Sequence, residues 1–277
     1  MRAQGKKCWQ PIRFKNMNPI INFYQDGIEE ALYSIVPAGL HYYALLDHSF
    51  IPDKSLTSQL NGLLHWRSLY EEAGGDADIS PLLCRMESKN SDQWRKQIST
   101  LLEICNGQPM LSLWHSSLDF ESIYQHFVSY TDVKLLPEKL VYLLRYADTR
   151  TLPSLLSALN EKQHSQFMGP FEQLRYFDRA GNIIAVSNSP TDQINREALA
   201  LDADQFSQMW NDSIPDQIIS QLNMPNGHSW HKISPSEQYQ QLLQLCRQAE
   251  QEGLVEPMEK EIFCKQALWE KVTISNR

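Results

Sequence analysis

The chain lacks most of the features that announce a function directly. No run of about 18 apolar residues occurs, so no membrane-crossing helix is expected. The basic residues near the N-terminus are not followed by an apolar stretch, so no secretory signal is expected. There is no C-x-x-C pair. The five cysteines, Cys8, Cys84, Cys105, Cys246 and Cys264, are scattered and odd in number. They read as reduced, mostly buried thiols of a cytoplasmic protein. Glycine is sparse, 11 in 277 residues, and none opens a phosphate-binding loop. Gly74-Gly75 lies in an acidic turn without the P-loop lysine, and Asp76 and Asp78 read as solvated turn residues. A basic excess is also missing: 25 Lys and Arg face 33 Asp and Glu, a net charge of −8. That balance argues against nucleic acid and anionic membrane surfaces as partners. Only the extreme N-terminus is basic, with Arg2, Lys6, Lys7, Arg13 and Lys15, and it reads as a solvated tail. Met17 offers an alternative start, with residues 1–16 as a dispensable leader.

What is present organises into three parts. Residues 1–38 form a leading segment. Residues 39–190 alternate strand-like and helix-like patterns, as in an α/β or α+β lobe. Leu40 to Asp47, Leu82 to Met86 and Met110 to Trp114 read as strands, and residues 53–63, 91–105 and 119–129 as helices. Two hairpins are expected, Val133–Leu136 with Leu140–Tyr146 and Leu174–Asp178 with Ile183–Val186, so the sheet is expected to be mixed. Helices follow the first hairpin at 152–159 and 161–168. Residues 191–277 lose strand signals and form an all-helical lobe that holds 7 basic and 13 acidic residues. Asp202 with Gln205, and Ser234-Pro235-Ser236-Glu237, are helix starts. The last helix spans Pro257 to Lys271, with Met258, Ile262, Phe263 and Leu268 as its inner face.

Candidate chemistry is thin. His228 and His231 form an H-x-x-H pair in a loop without an acidic or cysteine partner at ligand spacing, so no metal site is expected. His115-Ser116-Ser117 lacks a G-x-S-x-G setting, and Ser117 is expected to cap the next helix with Glu121 in support. No catalytic residue and no cofactor are expected.

The segment Arg145-Tyr146-Ala147-Asp148-Thr149-Arg150-Thr151-Leu152 carries more information. It resembles the central Arg-aromatic-aromatic-Asp-Pro-Arg motif of the effector adaptors, or effector chaperones, of bacterial type VI secretion. Tyr43-Ala44-Leu45-Leu46-Asp47, Ser68-Leu69-Tyr70, Pro81-Leu82, Leu113 to Ser116 and His126-Phe127 fall in that family's order. Phe167-Met168-Gly169-Pro170 resembles its Phe-Gly-Pro element, and Gln248 to Leu254 its alanine-x-x-x-glycine junction. The resemblance covers roughly residues 40 to 270. It implies a cytoplasmic, non-enzymatic protein that binds a toxic effector and helps load it onto the VgrG spike.

Thr149 stands where the motif has proline, and Ala147 where it has an aromatic residue. Pro153 would clash with the carbonyl of Thr149 in a helix capped by Asp148. The helix is therefore expected to start later, with Thr151 as cap and Pro153 in its first turn. Arg145 and Asp148 are then turn-locking groups, and Arg150 lies in the same turn, where it could contact a partner. Trp210, Trp230 and Trp269 are the other partner-binding candidates, core packing being the alternative for each. A hydrolase with dispersed catalytic groups around His115 or His126, and an α/β small-molecule sensor, are the competing readings.

Overall fold

The computed structural model describes residues 18–34, 39–51, 54–71, 75, 79–87, 91–137, 140–191, 194, 197–222 and 229–275. The basic tail with Cys8 and Met17, Gly74, Asp76, Asp78 and His228 lie outside them. The chain is an α+β lobe followed by a helical lobe. In order along the chain stand α1 (Ile28–Ser34), β1 (His41–Asp47), α2 (Lys54–Leu60), β2 (His65–Ser68), β3 (Pro81–Arg85), α3 (Asp92–Cys105), β4 (Leu111–Ser116) and α4 (Phe120–Val128). Then come β5 (Asp132–Leu135), β6 (Leu140–Leu143), α5 (Leu152–Ala158), α6 (Glu161–Met168), β7 (Gln173–Phe177), β8 (Ile183–Ser187) and β9 (Leu199–Leu201). The helical lobe contains α7 (Ala203–Gln221), α8 (Pro235–Gln251) and α9 (Pro257–Ser275).

The main sheet has the order β2-β3-β1-β4-β7-β8, and every pairing in it is antiparallel. Its central strand shows how the sequence builds two cores. In β1 successive side chains point to opposite faces, and all residues after His41 are buried. Tyr43 and Leu45 join Trp114, Leu174 and the apolar faces of α4, α5 and α6. Tyr42, Ala44 and Leu46 join Leu82, Cys84, Leu113 and the inner faces of α2 and α3. A strand buried on both faces reads as a continuous apolar run, which is why Leu40 to Asp47 was recognisable. Residues 18–34, part of the leading segment, pack against this lobe: Ile21 and Leu32 are buried in the second core.

A smaller sheet, β6-β5-β9, is mixed, with β5 antiparallel to β6 and parallel to β9. The strand β9 corrects the expectation that strands end before residue 190. Its three residues are too short to show a period, and Leu199 and Leu201 are drawn in because they complete the core beside Val133. Gln163 and Gln205 explain how α6, β9 and α7 meet. Each closes a capping box at its own helix, with Asn160 and Asp202 as the caps. Their amides then bond each other at 2.7 Å and reach the carbonyls of Ala200 and Ala158.

The other helix starts follow from local chemistry. α8 has the full signature, with Ser234 and Glu237 bonded reciprocally and Pro235 in the first turn. The cap of α4 is Asp119, whose carboxylate accepts the Ser122 amide at 2.8 Å, so Ser117 does not serve as its cap. In α9 the expected inner face is also corrected. Cys264 and Leu268 are buried with Ile214, Ile218, Trp230, Leu242 and Cys246, while Met258 and Ile262 face solvent. The Cys246 and Cys264 sulfurs lie 3.7 Å apart, and the four described cysteines are free and buried. Among the described residues no helix is long and apolar enough to cross a membrane.

Candidate functional site

The motif around Asp148 is the centre of a line of charges that joins the two lobes. Asp148 is buried and locks its own turn. One carboxylate oxygen accepts the Arg150 amide at 2.9 Å, two residues on. The Asp148 carbonyl accepts the amides of Thr151 and Leu152, both at 3.0 Å. These bonds start α5 at Leu152, with Thr151 as cap and Pro153 in the first turn, as the clash argument required. The Thr151 hydroxyl makes no capping bond, so the main chain of Asp148 does that work.

The same carboxylate takes a two-pronged contact from Arg150, Nε at 3.1 Å and Nη2 at 2.8 Å. On one side Arg145 lies 3.7 Å from Asp148 and donates to Asp47 at 2.8 Å and Ser49 at 2.7 Å. Asp47 is buried at the end of β1, and its other oxygen accepts the Ser49 amide and hydroxyl. The Phe50 ring packs beside both guanidinium groups. On the other side Arg150 reaches Asp216 of α7 at 3.5 Å. Asp216 is held by Arg179 through paired contacts of 2.7 and 2.6 Å, and the Arg179 guanidinium lies over the Tyr239 ring of α8, 3.6 Å from its centre. Burial alone would lower the pKa of Arg150, but the carboxylates of Asp148 and Asp216 more than reverse this and hold it above the usual guanidinium value.

Arg179 is placed by the β7–β8 turn. Asp178 accepts the amides of Ala180 and Asn182 at 2.9 and 2.8 Å, and Gly181 has φ +80°. A Cβ on Gly181 would stand 2.4 Å from the Phe23 carbonyl oxygen, so that position requires glycine. The crossing segment that comes so close also bridges the lobes: the Asn22 side-chain amide donates to the Ser236 hydroxyl at 2.8 Å, and its oxygen accepts the Ser236 main-chain amide at 3.1 Å. Three aspartates and three arginines thus neutralise one another along the seam. We expect a double-mutant cycle on Arg179→Ala and Asp216→Ala, followed by urea unfolding, to give a coupling energy of about 1 to 2 kcal/mol. Simple additivity would mean that the pair does not join the lobes energetically.

The histidines of the competing enzyme reading are core residues. His115 is buried in β4 against the Tyr42 ring, at 4.8 Å between centres. His126 is buried in α4 with Nε2 2.9 Å from the Phe167 carbonyl. A carbonyl only accepts, so Nε2 carries the proton, and Nδ1 is buried without a partner. Burial pushes the His126 pKa down to about 4 against the opposing effect of that bond. His231 is exposed. Among the described residues no group of three or more His, Cys, Asp or Glu stands where it could hold a metal ion.

The tryptophan candidates separate. Trp230 is buried in the core of the helical lobe, in line with the core-packing alternative. Trp210 and Trp269 are exposed, at 44% and 46%. Trp210 stacks on Phe206, and the Phe206 ring lies tilted against Tyr142 of β6, 5.3 Å between centres. These rings, with Ser207, Asn211, Val255 and Pro257, line an open groove of about 560 Å³. Met258, Ile262 and Trp269 stand four and then seven residues apart along α9, so they share a stripe on its outer side, and Met258 is 72% exposed. The stripe was hidden in the sequence because α9 is apolar on two sides and only packing shows which one is inside.

The model of a family described as a domain of unknown function (DUF4123) matches residues 42–166, from β1 into α6. Asp47, Arg145, Asp148 and Arg150 fall within the match, and Arg179, Asp216 and Tyr239 beyond it. No curated protein and no solved structure matches the chain.

Proposed function

We propose that the protein is a cytoplasmic, non-enzymatic adaptor of bacterial type VI secretion, which binds a toxic effector and helps load it onto the VgrG spike. The observation that carries this reading is the contrast between its charged and apolar groups. The charged side chains of the central motif are spent on one another, in the seam between the lobes. The side chains left in water are large and apolar: Trp210, Met258, Ile262 and Trp269, together with strand β6. Exposed apolar surface of this extent is what a protein keeps for protein partners. The resemblance of the ordered motifs to effector adaptors supplies the biological setting.

The test is affinity purification of the tagged protein from its own bacterium with the secretion system active, followed by mass spectrometry. An effector and a VgrG spike are expected together. Ile262→Asp is expected to melt like the wild type and to recover the effector about tenfold less well, as for a contact in the buried centre of an interface. Recovery of neither protein while the system demonstrably fires would overturn the reading.

A further inference from the structure

The strand β6 is exposed along its whole length. Leu140, Val141, Tyr142 and Leu143 are all exposed, with Val141 at 58%, and Leu136 beyond the turn is exposed as well. Among the described residues no strand pairs with its outer side, since the sheet order is β6-β5-β9. Soluble proteins normally blunt such an edge with charge, proline or a covering segment, because it invites pairing with another chain. Here it consists of four apolar residues in a row.

The register shows which groups are on offer. Leu144 donates to the Thr131 carbonyl at 2.8 Å, which makes those two a hydrogen-bonded pair. Bonded and non-bonded pairs alternate along antiparallel strands. Tyr142, opposite Val133, and Leu140, opposite Leu135, therefore also bond to β5. Val141 and Leu143 turn their amides and carbonyls outward, which gives a row of donors and acceptors that no described strand takes up. The side chains divide between the two faces. Tyr142 leads into the groove formed with Phe206, Trp210, Val255 and Pro257. Val141 and Leu143 lie on the opposite face, where their partners on β5 are Lys134 and Asp132.

Charge decides between occupants. Lys134 and Asp132 offset each other on their face. On the groove side, exposed Asp204 lies one turn before Ser207 on α7, and exposed Glu256 stands between Val255 and Pro257. Lys260, the nearest cation along α9, is buried and bound to Glu250 at 2.6 Å. A second copy paired edge to edge would bring like charges to the same face. A partner strand with basic ends would meet opposite ones.

We infer that β6 is a docking edge for an extended, apolar segment of a partner protein flanked by lysine or arginine, which adds to the small sheet as a fourth strand and places one side chain in the groove beside Tyr142. This deepens the adaptor reading and rests on it for the partner's identity, while the surface chemistry stands by itself.

The probe is a fluorescein-labelled synthetic peptide with a core of alternating valine and tyrosine between paired lysines, titrated with the full chain and followed by anisotropy. Val141→Pro removes an outward amide that makes no bond among the described residues, at an edge position that tolerates proline. Binding is expected to the wild type and to fall about tenfold or more in Val141→Pro, because main-chain bonds carry much of the affinity in strand addition. A peptide with glutamate in place of lysine is expected to bind more weakly. If Val141→Pro melts early, Leu143→Lys takes its place, with the same loss expected. Four results would overturn the inference: no binding to the wild type, equal binding by a normally melting variant, equal binding of the glutamate peptide, or a dimer in sedimentation that Val141→Pro dissolves. Recovery of effector and spike alongside any of these would leave the adaptor reading intact, so the two failures are distinguishable.

Discussion

Asp148→Ala is expected to lower the free energy of unfolding by about 3 to 5 kcal/mol, read from urea denaturation at neutral pH. The size follows from what the carboxylate does. It is buried, receives both prongs of Arg150 and the Arg150 amide, and lies beside Arg145. Alanine would leave the Arg150 guanidinium, itself largely buried, with the Phe50 ring and the longer ionic contact to Asp216. Removing one partner of a buried pair costs more than the pair contributes, because the remaining charge is stranded. Arg145→Ala should cost less, since that side chain is 43% exposed. The double variant Arg145→Ala/Asp148→Ala should fall short of the sum, because the two share one network. It should also lose more stability than effector affinity. A double variant that unfolds like the wild type yet no longer binds effector would assign these residues to the partner instead of the seam.

Acid should destabilise the protein through His126 in a pH range above that of most carboxylates. Its pKa is about 4 in the fold and about 6.5 in an unfolded chain. Between these values the unfolded chain binds the extra proton and the folded one resists it. Stability is therefore full above about pH 6.5 and is lost as the pH falls toward 4. At pH 5 the loss attributable to this one residue is about 2 kcal/mol. The proton would have to enter at Nδ1, which is buried without a partner among Tyr130, Phe127 and Phe171. His126→Gln keeps a donor for the Phe167 carbonyl and does not titrate. The difference between the wild-type and His126→Gln stability curves should slope between pH 6.5 and 4 and be flat above. Parallel curves throughout would mean that His126 is not held neutral by burial.

The parts of this fold that rest on local pattern were legible in the sequence. The central strands showed as apolar runs, α8 by its serine, proline and glutamate, and the later start of α5 by the position of Pro153. The Arg145–Asp148 pair was legible because both residues sit in one turn. Its extension was not: Asp47, Arg179, Asp216 and Tyr239 come from four other places in the chain. The available hints were an arginine in a tight Asp-Arg-Ala-Gly-Asn turn and an acid beside Pro215, between the core residues Ile214 and Ile218. Neither hint names its partner. The apolar pattern of β6 likewise read as an ordinary hairpin strand, because only the strand order reveals that its outer side is bare.

The antiparallel neighbour of β4 has a consequence for where this molecule can be divided. Residues 42–166 include β4 but stop short of β7, which pairs with it, and of Phe167, Phe171 and Leu174, which fill the core against Trp114. They also omit β9, which completes the small sheet from beyond residue 190. A fragment cut to those limits would carry two torn sheet margins and an opened core. The unit that folds is therefore larger than the stretch that is recognisable across proteins, and the helical lobe is anchored to it by the returning strand as well as by the seam.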